Sequence, residues 1–241
     1  MRAFWNGGGV WTRPRQADQT ELQYQMRNWY YFNWLCGDHI CEQHIHNLDV
    51  INWLKNDFPV EANGQGGREV RGNPANDGGA KDHGEIFDHH FVEYKYADGT
   101  RMYSQCRHIK GCFNSVSEHA YGSKGYSDIN RSTIFGEGDP WRFRGKGVSG
   151  HQQEQINLID ALSKGEIYNE GEYGAKATFT AILGREACYS GRQLKWDDLL
   201  KNGRNYCPGI DEWTLETDPP AMKGADGKYP VPQPGKWNPF A

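Results

Sequence analysis

The chain has 241 residues, with 27 Lys+Arg against 31 Asp+Glu and a formal net charge of −4, so it lacks the cationic excess of a general nucleic-acid binder. Hydrophobic residues at 37% and aromatics at 13% are too many for a disordered chain, and no stretch approaches the ~18 consecutive apolar residues of a membrane span. The excess lies in Gly 30, Trp 9 and Tyr 13, which suits a loop-rich domain with an aromatic-lined polar cleft for a small neutral partner.

Residues 1–10 (MRAFWNGGGV) carry no export signal, so the chain reads as cytoplasmic. They begin inside a strand, with Ala3 and Trp5 on one face and Phe4 on the other, as in a chain cut from something longer. From Asp38 to Trp53 the apolar residues Ile40, Cys41, Ile45, Leu48 and Ile51 recur at intervals of three and four, predicting one amphipathic helix that ends near Asn56. Residues 61–84 are rich in Gly and Asn and read as a long exposed loop with one short strand around 69–71. A hairpin follows, Ile86 to Tyr96 and Thr100 to Ile109, turned at Asp98-Gly99, and then a second antiparallel pair at 115–121 and 126–129.

After Gly150 the pattern becomes helical. His151 to Ser163 and Tyr173 to Tyr189 each stop at a glycine and are expected to pack together. A short strand at 193–195 leads into a brief helix at 196–200 that an Asp can cap. Six prolines between Asp218 and Ala241 predict an extended strap without chemistry. The whole is an α+β fold, a predominantly antiparallel open sheet covered on one face by helices, with residues 1–217 as one domain and 218–241 as the strap. The six cysteines form no CxxC pair and read as reduced thiols.

The densest polar pattern lies on the first helix. His39, Glu42, His46 and Asp49 follow at intervals of three and four and are expected on one stripe. A carboxylate one turn from an imidazole fixes its tautomer and raises its basicity, which is what a general acid/base for a hydroxyl group needs; the competing reading is a solvated polar face. The spacing is not HExxH, so no metal is expected. Upstream, Arg27, Asn28, Trp29 and Tyr30 offer hydroxyl-binding groups and rings that stack on sugars, or else, for Trp29, Tyr30 and Trp34, core packing. His89 and His90 point to opposite faces of their strand, as do Arg107 and His108.

The run Gly37 to Asp49 resembles the C-terminal substrate domain of the Gfo/Idh/MocA oxidoreductases, relatives of glucose-fructose oxidoreductase and inositol dehydrogenase. Their helix carries Gly-Gly, then Asp-x-Gly-x-His, then Asp. Gly37-Asp38 stands at the Gly-Gly, Glu42 replaces the Asp, His44 replaces the small Gly, His46 falls on the catalytic histidine and Asp49 on the later Asp. The substitution at His44 is expected to crowd a close approach. The resemblance extends over 2–9, 26–35, 84–119, 168–175 and 180–187.

It implies an oxidoreductase acting on a sugar or polyol hydroxyl with NAD or NADP. His46 would move the proton, Glu42 would orient it, and Arg27, Asn28, Trp29, Tyr30, His39 and Asp49 would line the substrate site. It implies a homo-oligomer formed through the sheet, with neither nucleic acid nor membrane as partner. The family's dinucleotide-binding domain and its Glu-Lys-Pro lysine precede this region, so the chain alone is expected to be inactive and to hold no cofactor. The literal GxGxxG at Gly145 to Gly150 follows no buried parallel strand and reads as a loop. Two alternatives stay open, a non-catalytic carbohydrate-binding or assembly module and an NAD-assisted glycosidase on the same scaffold.

Overall fold

The computed structural model describes residues 1–72 and 83–241. The part of the expected 61–84 loop between 73 and 82 lies outside the described residues. Nine strands form one sheet: β1 (Arg2–Gly7), β2 (Glu61–Gly67), β3 (His89–Lys95), β4 (Arg101–His108), β5 (Ser115–Gly122), β6 (Gly125–Asp128), β7 (Thr133–Phe135), β8 (Trp141–Arg142) and β9 (Leu194–Lys195). Their order is β8-β7-β6-β5-β1-β4-β3-β2-β9, and every pair is antiparallel except β1 with β4. The expected antiparallel sheet is therefore mixed, because the first strand inserts between two later hairpins and meets β4 in parallel register, Arg2 opposite Tyr103.

The helices are α1 (Glu21–Arg27), α2 (Asn33–Cys36), α3 (His39–Glu42), α4 (Ile45–Lys55), α5 (Gly150–Ser163), α6 (Gly171–Ser190) and α7 (Trp196–Asn202). Helices α4 and α6 cover one sheet face. Ile40, Leu48, Ile51, Leu183, Ala187 and Tyr189 meet Ala3, Val92, Tyr94 and Met102 there in a closed core. The expected hairpin forms as read, with Gly99 at φ +83° in its turn.

Three expectations fail. Residues 61–67 are not loop but strand β2, pairing with both β3 and β9. Its glycines let α6 lie against it, since a Cβ on Gly64 would sit 2.6 Å from the Cys188 sulfur. Helix α5 does not pack on α6: only Ala161 of it is buried, while Ile159 and Leu162 lie open. Helix α7 is capped at Lys195 without a side-chain bond, not by an Asp.

The strap from 218 to 241 has no regular element and is fastened by side chains. Tyr229 donates to Glu21, and Trp237 Nε1 donates to Glu186 Oε2 at 2.9 Å. All six cysteines are unpaired thiols. Among the described residues no helix is long and apolar enough to cross a membrane.

Candidate functional site

The helix expected over 38–53 is two helices. Gly37 (φ +72°) and Asp38 (φ +71°) turn the chain sharply, and α3 then lasts a single turn. The amide of His44 bonds the carbonyl of His39, five residues back, at 3.1 Å, a widened turn that breaks the 3.6-residue phase before α4 starts. The predicted stripe is thereby divided. His39 goes into the interior, while Glu42, His46 and Asp49 stay at the surface.

The interior half is organised by Asp38, which is fully buried. Its Oδ1 accepts from the His39 amide at 2.5 Å and from His39 Nδ1 at 2.7 Å. Its Oδ2 accepts from Tyr189 Oη at 2.6 Å, the Phe87 amide at 2.9 Å and His90 Nε2 at 3.2 Å. Burial opposes the charge, but the two imidazoles and these donors outweigh it and hold the carboxyl well below the usual range.

His39 stacks on His108 with centroids 4.5 Å apart, and burial lowers its pKa to about 4 despite Asp38. Asp38, His39 and His90 are near enough to share a cation. Yet both carboxylate oxygens and the facing nitrogens are engaged with one another, so hydrogen bonds account for the cluster. The expected contact of His39 with substrate is corrected accordingly, since its ring has no accessible surface.

His44 also turns inward. Its Nε2 meets Ser104 Oγ at 2.8 Å and its Nδ1 meets Asn47 Oδ1 at 3.3 Å, and burial lowers its pKa to about 3. It fills the space between α4 and the sheet, so the expected crowding of an approaching ligand does not arise.

At the surface, His46 is exposed at the start of α4, with the Trp5 ring 6.0 Å away between centroids. Glu42 precedes it by four residues and Asp49 follows by three. Both carboxylates are half-buried, and burial raises both pKa values. The Tyr30 hydroxyl and His46 pull Glu42 back down; Tyr173 and His46 do the same for Asp49. The two carboxylates thus stand within electrostatic reach of His46, one helical turn to either side of it in sequence. Sequence reasoning gave neither Tyr173 of α6, which bears on Asp49, nor Trp5 a part in the site; nothing local in the sequence signals either approach.

Two of the upstream candidates turn out to hold backbone. Asn28 is fully buried and clamps Arg13, accepting from its amide at 2.8 Å and donating to its carbonyl at 3.1 Å. Arg27 donates to the Pro14 carbonyl at 3.4 Å. Trp29 is 37% exposed and meets Trp11 edge-on, whereas Tyr30 is buried and stacks on His108. Of the strand alternatives, His90 and His108 face inward, and Arg107 faces out, bonding the Phe113 carbonyl.

The segment around Gly145 to Gly150 is exposed and follows the two-residue edge strand β8, which pairs antiparallel with β7. Among the described residues no strand–helix–strand unit there could cradle a dinucleotide.

No family profile and no curated protein matches the chain in sequence. Solved structures match it in fold. Aldose-aldose oxidoreductase from Caulobacter crescentus, complexed with glycerol, superposes with a TM-score of 0.57 at 17% identity, covering 80% of this chain and 54% of that one. The chain has the fold of Gfo/Idh/MocA-type sugar oxidoreductases. Levoglucosan dehydrogenase in complex with NADH and levoglucosan gives 0.53 at 14% identity, covering 80% and 57%. UDP-N-acetylglucosamine 3-dehydrogenase from Acidithiobacillus ferrooxidans gives 0.53 at 15% identity, covering 77% and 52%. The chain spans about half the length of each.

Proposed function

We propose that the chain forms the substrate-holding half of an NAD- or NADP-dependent oxidoreductase acting on a sugar or polyol hydroxyl, with His46 as the proton acceptor. The observation that supports this reading is the exposed His46, flanked by Glu42 and Asp49 and walled by Trp5, within a fold shared with sugar and polyol dehydrogenases. Oxidation of a carbinol removes the hydroxyl proton along with a hydride. His46 takes the proton as the general base. Trp5 offers an aromatic face against which the C–H face of a sugar ring can lie. This chain's part in the reaction is to bind, orient and deprotonate the substrate.

Calorimetric titration with neutral sugars and polyols tests the reading. It predicts binding of at least one of them that weakens in Trp5→Ala, and NAD(P)-dependent oxidation of that ligand by the complete enzyme that His46→Ala abolishes. Oxidation unchanged in His46→Ala would end the proton-acceptor assignment. A second reading, a non-catalytic carbohydrate-binding or assembly module, is favoured by the outer sheet face, where Phe91, Tyr103, Val116, Tyr121, Tyr126 and Ile134 are exposed. Association of copies through that face is compatible with both readings. Under the second, sugar would bind without any turnover.

A further inference from the structure

A large cavity among the described residues is not lined by His46 and has a different chemistry. Its volume is about 890 Å³, within the range of small-molecule sites. Three separate stretches of chain bring Arg13, Arg15, Arg68, Arg71, Lys223 and Lys228 to its wall, and no described lining residue is a carboxylate. Arg15 is paired with Glu21 at 2.5 Å, and Lys223 is also engaged. Arg13, Arg68, Arg71 and Lys228 have no carboxylate partner among the described residues.

Two of these cations form the floor. Arg71 is only 7% exposed, and its guanidinium donates to the Phe87 carbonyl and, at 2.8 Å, to His108 Nδ1. Arg68 donates Nη1–H to the Gly84 carbonyl at 2.8 Å, while its buried Nε–H has no acceptor. Burial lowers the Arg68 pKa and the charge of Arg71 lowers it further, so the pair sits at a cost that an anion would relieve. Among the described residues Asp88 bears on Arg68, but its Oδ2 is spent on the amides of residues 69, 70 and 71.

We infer that this cavity is a binding site for a phosphate-bearing ligand. Planar guanidiniums match phosphate oxygens in pairs, and four unneutralised cations exceed what one carboxylate can satisfy. A neutral sugar would leave them desolvated and unpaired. The volume admits a ligand larger than inorganic phosphate, so the phosphate belongs either to a sugar monophosphate or to the diphosphate of a nucleotide sugar. The inference stands on the cavity alone and does not rest on the oxidoreductase reading.

Titration calorimetry of the purified protein with pyrophosphate, glucose 6-phosphate and UDP-glucose, against glucose and glucuronate, tests it. At least one phosphate probe should bind and weaken as salt is raised. Binding should fall about tenfold or more in Arg68→Gln and again in Lys228→Gln, the loss expected of one charge-assisted contact. The solvent-facing Lys228→Gln and Arg13→Gln, checked by unchanged melting curves, keep the test decisive should Arg68→Gln fold poorly. Tighter binding of UDP-glucose than of glucose 6-phosphate assigns a nucleotide sugar, and the reverse assigns a sugar monophosphate. The inference is overturned if no phosphate probe binds at millimolar concentration, if glucuronate binds as well as they do, or if the charge variants bind unchanged.

Discussion

Two clusters built from one twelve-residue run meet opposite fates. Asp38, His39 and His44 are sealed under the sheet with His90 and His108, where each polar atom is judged by its hydrogen bonds. Glu42, His46 and Asp49 lie on the outside of the same run, where a proton can arrive and leave. Histidine is a structural hydrogen-bonding group in the first cluster and a candidate acid/base in the second. The residue type is the same; solvent access decides which role it can take.

The widest separation between the two is expected from His46→Ala and Asp38→Ala. Turnover of the complete enzyme should fall by ~10²–10⁴-fold in His46→Ala, the usual contribution of a general base. Its stability should stay within about 0.5 kcal/mol of the parent, because the side chain is exposed. Asp38→Ala should do the reverse, removing about 3–5 kcal/mol of unfolding free energy by stranding five buried donors. Urea melts of both proteins read this directly, and equal stability losses would erase the distinction.

Acid sharpens the comparison. Between pH 6.5 and about 4 the unfolded chain protonates His39 and His44 while the folded chain does not, since their folded values are lowered to about 4 and about 3. Each therefore removes roughly 1 kcal/mol of stability per pH unit as the pH falls through that window. Burial lowers His108 in the same sense. Glu85 works against them: burial raises it to about 7, so the folded chain takes up a proton there before the unfolded chain does, and stability gains between pH 7 and 4.5. The histidines outnumber it, so the urea midpoint should drop on acidification. His44→Gln should flatten the slope by about one proton.

The smallest expected effect comes from a site outside both clusters. A Cβ on Gly184 would sit 1.9 Å from the Tyr94 hydroxyl oxygen, so Gly184→Ala should cost about 1–3 kcal/mol by overpacking. It should not alter the pH slope.

The hairpin of β3 and β4 and the helix at Gly171–Ser190 were legible because alternation, Asp98-Gly99 and a terminal glycine are local signals. Helix α1 carried one as well, in Thr20-x-x-Gln23, a capping box that a closer reading would have found. Strand β2 was not legible, since its glycines mimic a loop and are explained only by the helix lying across them. The candidate site was legible in part. Glu42, His46 and Asp49 followed from spacing, but the widened turn at His44 that removed His39 depends on contacts with Ser104, 60 residues away.

By itself the sequence determined the period of the β3–β4 hairpin and of α6 and the kinds of chemistry available. Those are properties of neighbours along the chain, set by backbone geometry and side-chain type. Only the tertiary structure decided which polar groups are desolvated and which cations converge. Arg13, Arg68, Arg71 and Lys228 form no block in the sequence and meet only because the N-terminal segment, the stretch after β2 and the strap close on one cavity. Burial and long-range charge act through space, and proximity in space is what folding adds to the order of residues.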